Sequence, residues 1–252
     1  THDYYSISNN PQPYLDEFNN CEPKKFLNNC SCIITQNESN LNYFSKFITN
    51  EKCKIIVSSL PDYKNKCKLV KGKNTQIIIG IIGNITKVKG SNVLYKIYEY
   101  FKNNFPNFKL IVFGGVVLPT HQKKHIESHY YSNVRELNNL LIRYSPNILL
   151  ELSLWPETYS FTLTLAMITD LPILFLKKNN HCTVKNRLSK YKKAHSFQSL
   201  SELSFLVLKH KQEGLYTIEN KIYYNSFWNS LFNRDNNKKI INNEYFNDLN
   251  IY

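Results

Sequence analysis

The stretch Gln76-Ile-Ile-Ile-Gly-Ile-Ile-Gly83 decides the fold, because a near-continuous apolar run closed by glycine is how a parallel strand covered on both faces reads. Three more such runs follow: Lys109-Leu-Ile-Val-Phe113, Ile148-Leu-Leu-Glu-Leu152 and Pro172-Ile-Leu-Phe-Leu176. Each is too short for a helix and is bounded by Gly or Pro. Between them, Ser91 to Asn103 puts Val93, Leu94, Ile97, Tyr98 and Phe101 on one stripe, with Ser91 placed to cap the start. Asn133 to Tyr144 carries Val134, Leu137, Leu140 and Leu141, and Ser160 to Thr169 carries Phe161, Leu165 and Ile168. Strand alternating with helix predicts an α/β domain with a doubly wound parallel sheet, and right-handed crossovers restrict its topology. Ligands of such a sheet bind beyond the carboxyl ends of the strands, where the strand order reverses. The segments leaving those ends are 83–90, 114–119, 153–160 and 177–187.

Upstream, a shorter strand–helix–strand signal runs through Cys32-Ile-Ile-Thr35, Asn40 to Ile48 and Lys54-Ile-Ile-Val57. Two strands do not make a stable sheet alone. Ser58 to Asn74, with Pro61 and a basic run from Lys64 to Lys73, reads as a linker between lobes. Downstream, Ser199 to Lys211 reads as an amphipathic helix and Ile222 to Phe232 as a second one rich in Tyr, Phe and Trp. The tail from Arg234 to Glu244 is polar, and no internal repeat is found.

At 252 residues, 42% hydrophobic and 20% charged, the chain can bury one good core or two small ones, which excludes disorder as its dominant state. Mean hydropathy of −0.41 and interrupted apolar runs leave no segment near the roughly 20 apolar residues of a membrane-spanning helix. Thr1 leads straight into His2-Asp3-Tyr4-Tyr5 with no signal-peptide pattern, so a cytoplasmic location is expected. The net charge of +13 favours phosphate-bearing partners. The lysines are scattered among abundant Asn, Ile and Tyr, as an AT-rich coding sequence would give. No RNP, KH, zinc-finger or helix-turn-helix pattern appears, so no specific nucleic acid and at most peripheral membrane contact are expected.

The cysteines Cys21, Cys30, Cys32, Cys53, Cys67 and Cys182 form no CxxC pair and read as reduced thiols; the clustering of five before residue 70 leaves a disulfide framework as the alternative. Sequons at Asn29, Asn37 and Asn84 read as accidents of Asn richness. His121, His125 and His129 recur every four residues, a spacing that can bring imidazoles on one helical face to one metal. Pro119 and the polar surroundings fit a solvated segment instead, and no metal site is expected.

Two constellations carry chemistry. In Gly83-Asn84-Ile85-Thr86-Lys87-Val88-Lys89-Gly90 a glycine-bounded turn joins a buried strand to a helix. A helix amino end offers N–H groups and partial positive charge, so a diphosphate is the expected guest, with Lys87 or Lys89 as counter-charge. The turn is neither a Walker A loop nor GxGxxG. In Ser153-Leu154-Trp155-Pro156-Glu157-Thr158-Tyr159-Ser160-Phe161-Thr162-Leu163 a proline turn is followed by a carboxylate and a hydroxyl-rich helix start, which suits a polyol: Glu157 can accept from two sugar hydroxyls while Ser160 to Thr162 offer backbone N–H groups.

Together, Gly83…Lys89-Gly90 and Trp155-Pro-Glu-Thr-Tyr-Ser-Phe-Thr-Leu163 resemble the donor-binding lobe of family 4 glycosyltransferases, retaining enzymes of the GT-B architecture. The resemblance covers residues 76 to about 210. His2-Asp3-Tyr4-Tyr5 is similar to the late part of that family's acceptor lobe, where a histidine faces the donor sugar. The resemblance implies a Rossmann-like donor lobe over 74–212, a partial acceptor-lobe-like region and linker over 1–73, and a C-terminal helix and tail over 213–252. It implies sugar transfer with retention from a nucleotide-diphosphate sugar to a glycan or other hydroxyl acceptor, with no cofactor beyond that co-substrate and no metal. Catalytic roles would fall to His2 and Glu157. The donor diphosphate would meet Gly83, Asn84, Lys87 and Lys89; the donor sugar would meet Glu157, Thr158, Tyr159, Ser160, Phe161 and Thr162.

Two positions depart from the family pattern. The second glutamate of E-x7-E is Leu165, and the arginine usual after the glycine is Asn84. Leu165 also fits the buried stripe of its own helix. These departures motivate an alternative, a catalytically degenerate binding module that partners other domains of a larger glycosyltransferase.

Overall fold

The computed structural model describes residue 12 and residues 25–57, 67–72, 76–177 and 182–219. His2, the expected helix at 222–232 and the polar tail lie outside the described residues. After a 3-10 turn at Lys25–Asn29, β1 (Cys32–Thr35) and β2 (Lys54–Val57) pair in parallel, with α1 (Glu38–Phe44) as the crossover. This helix starts earlier than the expected Asn40, because Asn37 sits in extended backbone and its side chain accepts from Ser39 N–H at 2.9 Å. Its last residues tighten into a 3-10 turn at Ser45–Phe47. So small a unit needs a core from elsewhere: Leu27, Ile33, Phe44 and Phe47 close around Trp155, which arrives from the larger domain.

The expected linker 58–74 contains a strand, β3 (Leu69–Lys71). Its three residues carry no periodic signal, and its antiparallel partner, Tyr216–Ile218, lies far along the chain.

The larger domain then alternates strand and helix: β4 (Ile77–Ile82), α2 (Ser91–Asn104), β5 (Phe108–Phe113), α3 (Thr120–Lys123), β6 (Glu127–His129), α4 (Val134–Tyr144), β7 (Ile148–Glu151), α5 (Phe161–Ile168), β8 (Ile173–Leu176), α6 (Cys182–Ser189), β9 (Ala194–Phe197) and α7 (Leu200–Glu213), with Tyr216–Ile218 as β10. The strands β4 to β9 form one parallel sheet in the order β6-β5-β4-β7-β8-β9. Every residue of the central β4 is buried. Ile77, Ile79 and Ile81 meet Leu94, Ile97 and Phe101 of α2 and Leu203 and Val207 of α7. Ile78 and Ile82 share the opposite core with Leu137 and Leu141 of α4 and Leu163 of α5. The result is a helix–sheet–helix sandwich, the predicted doubly wound α/β domain, beside a small partial second lobe. Among the described residues no helix is long and apolar enough to cross a membrane.

Two polar strands, β6 and β9, extend the sheet beyond the four expected. The three histidines do not share a helical face: His121 lies in α3, His125 follows it, and His129 ends β6. His125 stacks on Tyr98 and His129 on Tyr144. Among the described residues, no three His, Cys, Asp or Glu side chains are grouped to hold a metal ion. Cys32, Cys53 and Cys67 are free thiols.

Where β4 runs past the start of β7, Asn147 completes the ladder. Its Oδ1 accepts from Ile78 N–H at 3.0 Å and its Nδ2 donates to Gln76 O at 3.1 Å, with the side chain 4% exposed. Asn147→Ala would leave a buried N–H unpartnered, a cost of about 1–3 kcal/mol. The urea midpoint of the variant is expected to fall with little change in the denaturant slope; an unchanged midpoint would refute the account.

Candidate functional site

The strand order places the reversal between β4 and β7: the chain moves outward from β4 through β5 to β6, then returns to lay β7 against β4 on its other side. The loops leaving the carboxyl ends of these two strands therefore face each other. A backbone hydrogen bond ties them, Leu154 N–H to Val88 O at 2.7 Å.

The first loop also zips to the loop after β5. Ile85 N–H donates to Gly115 O at 2.7 Å and Val117 N–H to Ile85 O at 2.9 Å. Asn84 Oδ1 accepts from Gly115 N–H at 2.8 Å. Gly114 makes this approach feasible: at φ +140°, a Cβ there would stand 2.2 Å from Gly83 O. At the end of the loop the cap of α2 is Gly90, in the left-handed region at φ +84°, where a Cβ would lie 2.4 Å from Leu152 O. Ser91 is thus the first helical residue and not the expected cap; its buried Oγ has no hydrogen-bond partner among the described residues.

Beyond the strands lies a cleft of about 430 Å³ whose walls include Gly83, Asn84, Thr86, Lys89, Tyr130 and Thr162. Lys89 Nζ stands 3.4 Å from Glu157 Oε1, the lysine side chain 22% exposed and the carboxylate 5%. Glu157 Oε1 also accepts from Ser153 Oγ at 3.1 Å. The structure thus brings Gly83, Asn84, Lys89 and Thr162 to one cleft with Glu157 directly behind Lys89. Lys87 is exposed and outside the lining. Thr158, Tyr159 and Ser160 are buried in the loop, and Phe161 is partly exposed at the start of α5. Leu165 is 5% exposed and belongs to the core, as its stripe suggested.

Sequence reasoning missed several neighbours of this site. Tyr130 and Tyr131 line the cleft just past β6, a strand whose polar residues hid it. Arg187 and Asn40 bind the Glu157 loop through its backbone, a kind of contact that leaves no mark in sequence.

A doubly wound parallel sheet with a cleft at its switch point is a nucleotide-binding architecture. In particular, the fold is that of a Rossmann-like lobe of GT-B glycosyltransferases, joined to a small second unit. TarM superposes with a TM-score of 0.56 at 13% identity, over 75% of this chain and 39% of TarM. A variant of S. aureus TarM, solved with fondaparinux, alpha-GlcNAc-glycerol and UDP, gives 0.56 at 14% identity over the same shares. Anabaena HepE, solved with UDP and glucose, gives 0.53 at 12% identity over 75% of this chain and 57% of HepE. The chain therefore spans about two fifths of TarM's length. At such identities the likeness speaks for the fold. No protein-family model matches the sequence, and no curated protein does.

Electrostatically the site holds a second acid. Glu151, at the end of β7, accepts from Ser153 N–H at 3.1 Å and lines a small cavity with Val184, Lys177 and Lys185. Burial, reinforced by the nearby Glu157 carboxylate, pushes its carboxyl up from 4.5 to about 7. A carboxyl whose folded value lies above its unfolded one holds its proton more tightly in the native state. Its contribution to stability therefore falls as pH rises from 4.5 to 7, and the penalty is complete above 7. Glu151→Gln keeps an acceptor for Ser153 and removes the ionisation. The variant should match the parent at pH 4.5 and have the higher urea midpoint at pH 8; equal midpoints at pH 8 would defeat this assignment.

Proposed function

We propose that this chain carries the donor half of a glycosyltransferase that moves a sugar from a nucleotide-diphosphate donor to a glycan or other hydroxyl acceptor, with retention and without a metal ion. The observation that carries the reading is the Lys89–Glu157 pair at the switch-point cleft. An anion-seeking ammonium and a hydroxyl-seeking carboxylate, held side by side, suit a sugar attached to two phosphates.

In this reading Lys89 moves from Glu157 to the diphosphate, supplying counter-charge as the bond to the anomeric carbon breaks. The amino end of α2 adds partial positive charge. Glu157, kept in place by Ser153, receives the donor sugar's hydroxyls. The acceptor hydroxyl attacks on the face the diphosphate leaves, which requires no enzyme nucleophile. His2 is assigned to the vicinity of the reacting carbon by resemblance alone. Tyr130 and Tyr131 offer rings at the far wall of the cleft, suited to a nucleobase face. UDP-sugars are the first donors to test, since the TarM variant and HepE were solved with UDP.

Two observations favour the second reading, a catalytically degenerate glycosyltransferase-like binding module of a larger glycan-assembly protein. Leu165 is buried in the core where the resemblance calls for a glutamate, and Asn84 is engaged with Gly115 where it calls for an arginine.

Thermal-shift titration with UDP, GDP and dTDP sugars should find one donor that raises the melting temperature by mass action, about 2–4 °C per kcal/mol of binding linkage. Lys89→Ala is expected to weaken that donor by about 10–100-fold, the scale of one charged hydrogen bond of 1.5–3 kcal/mol. Donor binding that survives Lys89→Ala unchanged rejects the site. Binding with no sugar release across an acceptor panel selects the module reading.

A further inference from the structure

Three consecutive carbonyls in the loop between β7 and α5 are each held by a buried side chain. Asn40 Nδ2 donates to Thr158 O at 3.0 Å. Arg187 Nη1 donates to Tyr159 O at 2.7 Å and to Ser160 O at 2.9 Å. Neither holder is free to wander. Arg187 is 8% exposed, its Nη2 donates to Thr164 Oγ1 at 2.6 Å, and its guanidinium sits 4.3 Å from the centre of the Tyr159 ring. Asn40 is fully buried, donates also to Thr35 Oγ1 at 3.0 Å, and accepts from Thr183 Oγ1 at 3.3 Å.

A peptide group is planar and trans, so its N–H points opposite to its C=O. Fixing the carbonyls of Thr158, Tyr159 and Ser160 toward Asn40 and Arg187 therefore turns the N–H groups of Tyr159, Ser160 and Phe161 away from them. Just beyond, Thr162 lines the cleft. Ser160 adopts the left-handed conformation at φ 66°, ψ 88°, a state that a serine holds only when its surroundings impose it. The two Arg187 bonds on either side of this residue are such a constraint.

We propose that Arg187 and Asn40 are positioning residues for the donor: by gripping the carbonyls of Thr158 to Ser160 they aim the following N–H groups at the anionic end of a nucleotide diphosphate sugar. The proposal rests on the donor-binding reading above. It assigns the small lobe a function as well, since Asn40 belongs to α1 and reaches across to the donor loop. The residue types matter. A guanidinium spans two carbonyls and a hydroxyl as one planar fork, which an ammonium cannot do. An aspartate at 40 would lack a donor for Thr158 O.

Backbone amide NMR of the full 252-residue chain, titrated with inorganic diphosphate and then with UDP-glucose, tests this for the parent, Arg187→Lys and Asn40→Asp. In the parent, the amides of Tyr159 to Thr162 should shift with either probe. Arg187→Lys, which keeps the charge, and Asn40→Asp should each weaken the response by about tenfold or more. Equal affinity in parent and variants overturns the positioning role while leaving donor binding intact. Changes spread through β4 and β5 in the unliganded variants would mark a general structural role and overturn it too. A parent that answers diphosphate but no nucleotide sugar rejects the donor reading alone; a parent whose loop amides answer neither rejects both. Should Arg187→Lys not fold, Asn40→Asp decides by the same readings.

Discussion

The hydrogen-bonded contact between β4 and β7 is short, pairing Ile79 with Ile148 and Gly80 with Leu149, yet the rest of the site follows from it. These strands are neighbours in space but separated in sequence by two strand–helix units, so their exits belong to crossovers that leave in opposite directions. That divergence opens the space above the sheet. The same contact forbids the loops at its floor from separating, because Leu154 and Val88 share a backbone bond immediately above it. Lys89, next after Val88, and Glu157, three residues past Leu154, meet close to this tie. Their 3.4 Å approach follows from the strand order that brings the two loops together.

Polar groups under this loop follow a stricter rule. Ser39, Asn40, Thr158, Thr183 and Arg187 are all buried or nearly so. Each such group costs about 1–3 kcal/mol if left without a partner. The contacts of Ser39 with Thr183, of Thr183 with Asn40, and of Asn40 with Thr158 distribute those partners across α1, α6 and the loop between β7 and α5. A network of this kind has one arrangement that satisfies it and many that do not. It therefore fixes how the small lobe sits on the large one, with Trp155 supplying the apolar part of the same junction.

How much of this was legible depended on where the information resides. β4, β5, β7 and β8 announce themselves because strands covered on both faces must be apolar throughout, and α2, α4, α5 and α7 because their stripes must reach a sheet. β6 and β9 stand at the two edges of the sheet, where Glu127-Ser-His129 and Ala194-His-Ser-Phe197 meet a lighter demand for burial and so show no apolar run. β3 pairs with β10 across nearly the whole larger domain, and local pattern cannot report so distant a partner. The cap of α2 was misread for a related reason. A serine before a helix is a sound local signal, but the carbonyl of Leu152 presses on position 90 and selects glycine there, shifting the cap by one residue. Lys89 and Glu157 were legible because topology alone brings their loops together. Arg187 and Asn40 were not, because side chains that bind backbone carbonyls can serve any sequence in the loop they hold.

Leu165, which stands where the resemblance calls for a glutamate, bears on how the proposed donor grip would work. Leu165 packs within the core cluster, so the surface there has been given over to burial, and whatever holds a nucleotide must act from the loops. Lys89 is engaged with Glu157, which at first suggests a site closed against anions. Glu157 has a second anchor, however: Ser153 Oγ donates to the same oxygen that faces the lysine. In the proposed reading Lys89 turns toward an incoming phosphate while the carboxylate keeps Ser153 as its donor. Glu151 supports the exchange from below pH 7, since in its neutral form it adds no second negative charge to hold the ammonium back. In the proposed reading the lysine turns to the ligand without stranding an acid in the protein, which is the condition for two opposite charges in contact to serve as a binding site and not merely as a bond.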